Sequence, residues 1–297
     1  MRPASHPVVY PSGMPVVIVT DSTATLPSEV AAERGIHVVP LQVVVGATVY
    51  DEGEGGATPD LVAAALKEWK PVSTSRPAPA AMLEVYERLA AEGATEIVSI
   101  HLSGEMSGTF ESAQLAARDA SIPVLTVDSR QVGVATGFAA LAAADVVAAG
   151  GSAEDAAAAA LKRAEASVSL FYVDTLEYLR RGGRIGAAAA LLGGALAVKP
   201  LLQIQDGRVA SLERVRTSTR ALARLEELAV EAAGAGPVDV WVGHLANPDR
   251  AAQLAEQLSG RLEANLEGRE IWSGELGAVL GAHVGPGMIA VCVAPVL

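Results

Sequence analysis

The chain has 297 residues, 51% of them hydrophobic and only 4% aromatic, enough for one large domain or two ordinary ones with cores of Ala, Val and Leu. Its net charge of −12 and isoelectric point near 4.9 argue against nucleic acid and against anionic membrane surfaces, which need a basic surplus. No apolar run is long enough for stable membrane insertion, since residues 139–149 are few and include Asp145, and the single Cys292 leaves no internal disulfide, which points to a cytoplasmic setting.

Residues 1–14 carry three prolines and no apolar signal core, and read as a flexible tail. Residues 16–20 form an apolar strand ending at Asp21-Ser22-Thr23. Pro27 opens a helix that Gly35 closes, and residues 36–45 read as a second strand. Residues 51–57 are a Gly- and acid-rich loop, after which Thr58-Pro59 starts a helix. Residues 71–79 read as irregular between prolines, and 80–92 as helical. Residues 97–102 form a strand that breaks into Ser103, Gly104, Ser107, Gly108 and Thr109, followed at once by an Ala-rich helix to about Arg118. A strand at 124–127 ends in Asp128-Ser129, and two Ala-rich helices fill 133–166.

This alternation predicts a parallel sheet with helices on both faces. Three of its strands end in Ser-bearing loops, and ligands of such sheets lie beyond the carboxyl ends of the strands. Hydroxyls and free backbone N–H groups at the helix start near Ser107 suit an anion, either a carboxylate or a phosphate. The second half differs. A strand at 167–173 precedes helical stretches at 174–181 and 186–198. Residues 201–205 and 208–215 flank Asp206-Gly207, a hairpin signal that implies antiparallel pairing. Further elements are a helix at 218–233, a strand at 238–243, a helix begun by Asn247-Pro248, and strands at Ile271 and 287–296. The expected organisation is therefore an α/β domain over 15–166 and an α+β domain with a largely antiparallel sheet over 167–297.

No Gly-x-Gly-x-x-Gly follows a strand and no phosphate loop with Gly-Lys-Ser/Thr occurs, so the chain carries no recognisable site for NAD or ATP. Gly104-Glu-Met-Ser107-Gly lacks the nucleophile-elbow spacing. The five histidines form no close-spaced ligand pair for a metal.

Seven blocks in order resemble the DegV family of bacterial fatty-acid-binding proteins. They are Val19-Thr-Asp-Ser-Thr-Ala-Thr-Leu-Pro27, Thr74-Ser75-Arg76-Pro77, residues 102–113, the stretch from Asp174 through Gly182-Gly183-Arg184-Ile185, Lys199-Pro200, Val215-Arg216, and His283-Val-Gly-Pro-Gly287. Each block alone is weak, and the ordered set is specific. The resemblance implies two domains with a long-chain fatty acid held between them in a buried apolar tunnel. It implies no cofactor, no catalysis by this chain, and a monomer that presents the acid to a separate ATP-binding kinase subunit, which forms acyl phosphate. By the same resemblance, Thr74, Ser107 and His283 bind the carboxylate, with Ser75, Ser103 and Gly104 around them, and Arg184 and Arg216 dock the kinase subunit. Gly104 stands where many members have a second Ser, Arg76 replaces Gln beside Thr74, and Met106 replaces Leu, which bears on the acyl chain preferred.

The chemistry agrees with that implication. Each buried methylene contributes about 0.8 kcal/mol, so about 15 of them contribute roughly 12 kcal/mol before ordering and association costs. Neutral donors suit a head group that must later attack ATP, whereas a direct Arg clamp would hold it as an inert ion pair. The plainer readings are a helix cap for Ser107, a turn residue for Thr74, a loop histidine for His283, and a packed strand histidine for His101. The arginines then read as solvated charges. Two other functions fit fewer residues: a hydrolase or transferase with Ser107 as nucleophile and His283 as base, and a lipid sensor with no kinase partner.

Overall fold

In a computed structural model the structure describes residues 16–53, 55–191 and 199–297. The expected tail at 1–14 and the end of the expected helix at 186–198 lie outside the described residues.

The first sheet is built from β-branched runs. Strands β1 (Val16–Asp21), β2 (Ile36–Val39), β6 (Glu96–His101) and β7 (Val124–Asp128) pair in the order β2-β1-β6-β7, all parallel. β1 and β6 are buried along nearly their whole length, as central strands covered on both faces must be. A second sheet of six strands takes the order β10-β9-β8-β13-β11-β12. It comprises β8 (Val168–Tyr172), β9 (Lys199–Gln205), β10 (Arg208–Val215), β11 (Val238–His244), β12 (Trp272–Glu275) and β13 (Ile289–Pro295). All its pairings are antiparallel except β11 with β12. The mixed α/β architecture follows the expectation, with a parallel sheet first and a mostly antiparallel sheet after it.

Strand alternation gives the second sheet two buried faces. Leu170, Tyr172, Val240, Val242, Val291 and Val293 face one core with helices α8 (Ser218–Ala233) and α9 (Pro248–Arg261). Phe171, Leu202, Trp241, Ala290 and Cys292 face another. Helix α5 (Val134–Ala148) is apolar all round because it serves two cores. Its first turns join the core of the second sheet, and Ala139, Ala140, Ala143, Ala144 and Val147 join that of the first.

Three local expectations change. Residues 36–45 are two strands in different sheets: Pro40 has no N–H to continue the ladder, and the Leu41 N–H donates to Ser22 Oγ at 2.9 Å. β3 (Gln42–Val45) instead pairs antiparallel with β4 (Thr48–Asp51) and β5 (Val72–Ser75) in a small third sheet. The segment read as irregular thus contains a strand, and Thr74 sits on it opposite Val43. Residues 186–191 form a 3-10 helix within the stretch expected to be helical, whereas the expected helix at 174–181 is confined to α7 (Glu177–Arg181).

Helices α2 (Pro59–Lys67) and α11 (Ala278–Val284) hold the small sheet in place. Val43, Val62 and Leu66 share one core with Ala278, Val279 and Ala282, so a helix from late in the chain packs on a sheet from its beginning.

Candidate functional site

Between the first sheet's carboxyl ends and the inner face of the second sheet lies a cavity. Its walls are mainly apolar and include Leu102, Met106, Phe171, Trp241, Leu280 and Met288. Its polar side chains include Thr74, Ser107, Arg184 and His283. Residues from both halves of the chain thus enclose one space.

β5 carries Thr74 and the last turn of α11 carries His283. The packing of α11 on the small sheet brings them together, and Thr74 Oγ1 lies 2.8 Å from His283 Nε2. The other ring nitrogen of His283, Nδ1, is buried without a hydrogen-bond partner and faces Gly182, where a methyl group would overlap the ring. A buried N–H left unpaired is the costlier arrangement, so the favoured tautomer carries its proton on Nε2. Nε2–H then donates to Thr74 Oγ1 and leaves the threonine hydroxyl hydrogen free for an acceptor in the cavity. Burial, with the nearby Arg184 charge second, lowers the His283 pKa to about 4, so the ring is neutral at neutral pH.

Ser107 approaches from the loop before α4 (Thr109–Asp119). Its Oγ lies 2.9 Å from Thr109 Oγ1 and accepts the Thr109 N–H at 3.3 Å. It therefore hydrogen-bonds just ahead of the helix, whose N-cap is Gly108 and not Ser107 as the plainer reading has it, and it also lines the cavity. Ser107 and His283 share the cavity, but the ring nitrogen pairs with Thr74. Arg184 is a wall residue. It donates from Nε to the Met106 carbonyl at 3.0 Å and from Nη1 to the Gly182 carbonyl at 2.6 Å.

The other expected site residues lie elsewhere. Ser75 is exposed and donates to the Arg76 carbonyl at 3.3 Å. Ser103 is buried and donates to the Gly207 carbonyl at 2.7 Å, tying its loop to the β9–β10 turn. The Gly104 N–H donates to the Asp128 carboxylate. Arg216 is exposed beyond the end of β10 and is not part of the cavity wall. Arg76 is turned away from Thr74: its Nη1 donates to the Gly108 carbonyl at 3.0 Å and to Glu111 at 2.6 Å. His101 is fully buried between Asp21 and Ser99, at 3.0 and 2.7 Å, as a packed strand residue.

Sequence reasoning missed most of the wall, including Phe171, Trp241 and Met288, because apolar lining residues look like any core residue. It also missed Glu52, whose Oε1 accepts the Val279 N–H at 2.8 Å and so caps the helix that carries His283. Among the described residues, no group of three or more His, Cys, Asp and Glu side chains is placed to hold a metal ion, and no helix is long and apolar enough to cross a membrane.

A mainly apolar cavity whose polar side chains include the neutral Thr74, Ser107 and His283 suits an elongated chain with a polar head. The family model described as an uncharacterised protein of the DegV family matches residues 15–296. A DegV domain-containing protein of Streptomyces coelicolor is 52% identical over 278 residues, covering 94% of this chain and 98% of its own. This chain belongs to the DegV family. Two solved relatives are a DegV family protein from Thermus thermophilus, described by its fatty acid binding, and DegV of Bacillus subtilis, described as a fatty acid binding protein. They are 32% and 33% identical, each match covering 95% of this chain, with 99% and 100% of the other and a TM-score of 0.86 for both.

Proposed function

We propose that this chain binds a long-chain fatty acid in the cavity, with its carboxylate at Thr74, Ser107 and His283, and presents that carboxylate to a separate ATP-binding kinase subunit that forms the acyl phosphate. The observation that carries the reading is the Thr74–His283 pair, neutral at neutral pH, at the polar part of an otherwise apolar cavity. The fatty acid binding of the solved relatives supports it. Neutral donors hold a carboxylate without neutralising its charge, which keeps it nucleophilic toward a phosphoryl group. Arg184 has its guanidinium on two backbone carbonyls and lends positive potential at the same wall.

In this reading the chain has no turnover of its own and works as a cytoplasmic monomer of two lobes divided near Ala166. Arg184 and Arg216 are the residues that meet the kinase subunit. Mass spectrometry of organic extracts of the purified protein should find about one fatty acid per chain, as one cavity requires. With a fatty acid kinase ATP-binding subunit and ATP added, the bound acid should be converted to acyl phosphate. Preparations that are empty and refuse added fatty acid would contradict the binding. Loaded protein that is never phosphorylated would contradict the presenting role alone.

A further inference from the structure

The register of the second sheet orders the cavity wall into rows. Phe171, Ala290 and Gly243 are direct neighbours across β8, β13 and β11. Two residues further along, Ser169, Cys292 and Trp241 form the next row. Of these six, all but Gly243 line the cavity. The following pair, Ala294 and Asp239, does not. Past it stand the Arg163–Asp239 ion pair, with the Arg163 guanidinium 5.7 Å from the Phe138 ring centre, and a separate cleft that these residues line with Trp272. Gln131 closes the Ser169 end, accepting the serine hydroxyl at 3.0 Å and donating to the Ser167 carbonyl at 3.2 Å.

The polar end is at the other extreme. The half of α11 that carries His283 sits over Leu245, whose side chain lies against Gly281. The Trp241 backbone is four residues back along the same chain segment, about 13 Å at the rise of a strand, and its ring reaches part of the way back toward the polar end. Its indole lies flat over Gly243, where any side chain would collide with the ring, so its position is fixed by the glycine two residues on. Trp241 is 5% exposed. It borders a second cleft as well, lined by Leu26, Trp272 and Ala278 along with Asp21, Glu52 and Glu275, and among the described residues no other side chain borders both spaces.

We infer that the Trp241 indole is the stop that limits acyl length, separating the end of the apolar cavity from the second cleft behind it. The inference rests on the fatty acid reading above. A chain that outgrows the cavity must displace the packed indole and enter a cleft that holds the Glu52 and Glu275 carboxylates among its apolar walls, which offsets the gain of burying those methylenes.

Delipidated wild-type protein and its Trp241→Phe and Trp241→Ala variants are each offered an equimolar mixture of straight saturated acids from about twelve to about twenty-two carbons, a range spanning the gain per methylene. The bound acids are extracted, counted per chain and sorted by length. The stop predicts that the preferred length rises by about two carbons or more in Trp241→Ala and by less in Trp241→Phe, as the space left by the ring is taken up. If Trp241→Ala fails to fold, Trp241→Phe decides. A folded variant with the wild-type length profile, a shift to shorter acids, or loss of all binding in folded Trp241→Phe overturns the stop. Wild-type protein that binds no acid of any length overturns the fatty acid reading instead.

Discussion

His283 owes its chemistry to where it is held rather than to its neighbours in sequence. The motif around it, His-Val-Gly-Pro-Gly, reads as a surface loop, yet the ring is packed on Gly182 and meets a threonine 209 positions away. Its folded pKa of about 4 lies below the ordinary value of 6.5. The unfolded chain therefore takes up the proton first as pH falls, and stability is lost between about pH 6.5 and about pH 4, up to roughly 3 kcal/mol for this one group. Denaturant titrations at both ends of that window should show the loss in wild-type protein and a smaller loss in His283→Asn; equal losses would place the effect elsewhere. Thr74→Val keeps the shape and removes the hydroxyl. It should weaken fatty acid binding by about 1.5–3 kcal/mol, the worth of a hydrogen bond to a charged acceptor, without altering preferred chain length. Unchanged affinity in a competition titration would remove Thr74 from the head-group site. At this scale the motifs identify Thr74, Ser107 and His283 as candidates. They could not reveal that Ser103 and Gly104 are spent on the Gly207 carbonyl and the Asp128 carboxylate, since a serine beside a binding serine looks the same whether it faces the cavity or a turn.

Helix α11 is short, and its placement depends on a distant carboxylate. Glu52 accepts the Val279 N–H in the first turn, and burial raises its pKa, partly offset by hydrogen bonds from Ser22 and Val279. Glu52→Ala should cost about 1 kcal/mol as a lost helix cap and should also weaken fatty acid binding, because His283 rides on the same helix. Glu52→Gln retains an acceptor and should behave closer to wild type. Thermal melts and binding titrations of the two variants test this; a Glu52→Ala variant that is destabilised yet binds normally would uncouple the cap from the site. The small sheet that carries Thr74, with Glu52 just past its β4 strand, is the least legible element. Its strands are four residues long, β5 alternates Val and Thr with exposed serines, and a glycine-rich loop sits inside it. Longer elements are plainer in the sequence: the apolar runs of β1 and β6, the Asp206-Gly207 hairpin and the capped helix α2 each carry a strong local signal.

At the scale of the molecule, two sheets of different type share one helix. α5 gives part of its surface to each core, so movement of one sheet against the other has to repack that helix. The β9–β10 turn adds a second connection, through Ser103 with Gly207, Glu105 with Arg208, and Arg130 with Asp206. The change from alternating strand and helix to a hairpin reveals two architectures from sequence. It could not reveal the cavity between them, which depends on side chains facing each other across elements far apart in the chain. The most direct measurement is a crystal structure of the protein loaded with a single long-chain fatty acid. The account predicts the acyl chain along Phe171, Met288 and Trp241, with its carboxylate within about 3.2 Å of Thr74 Oγ1 and Ser107 Oγ, an ordinary hydrogen-bond distance. An acid found in the opposite orientation, or outside this cavity, would contradict it.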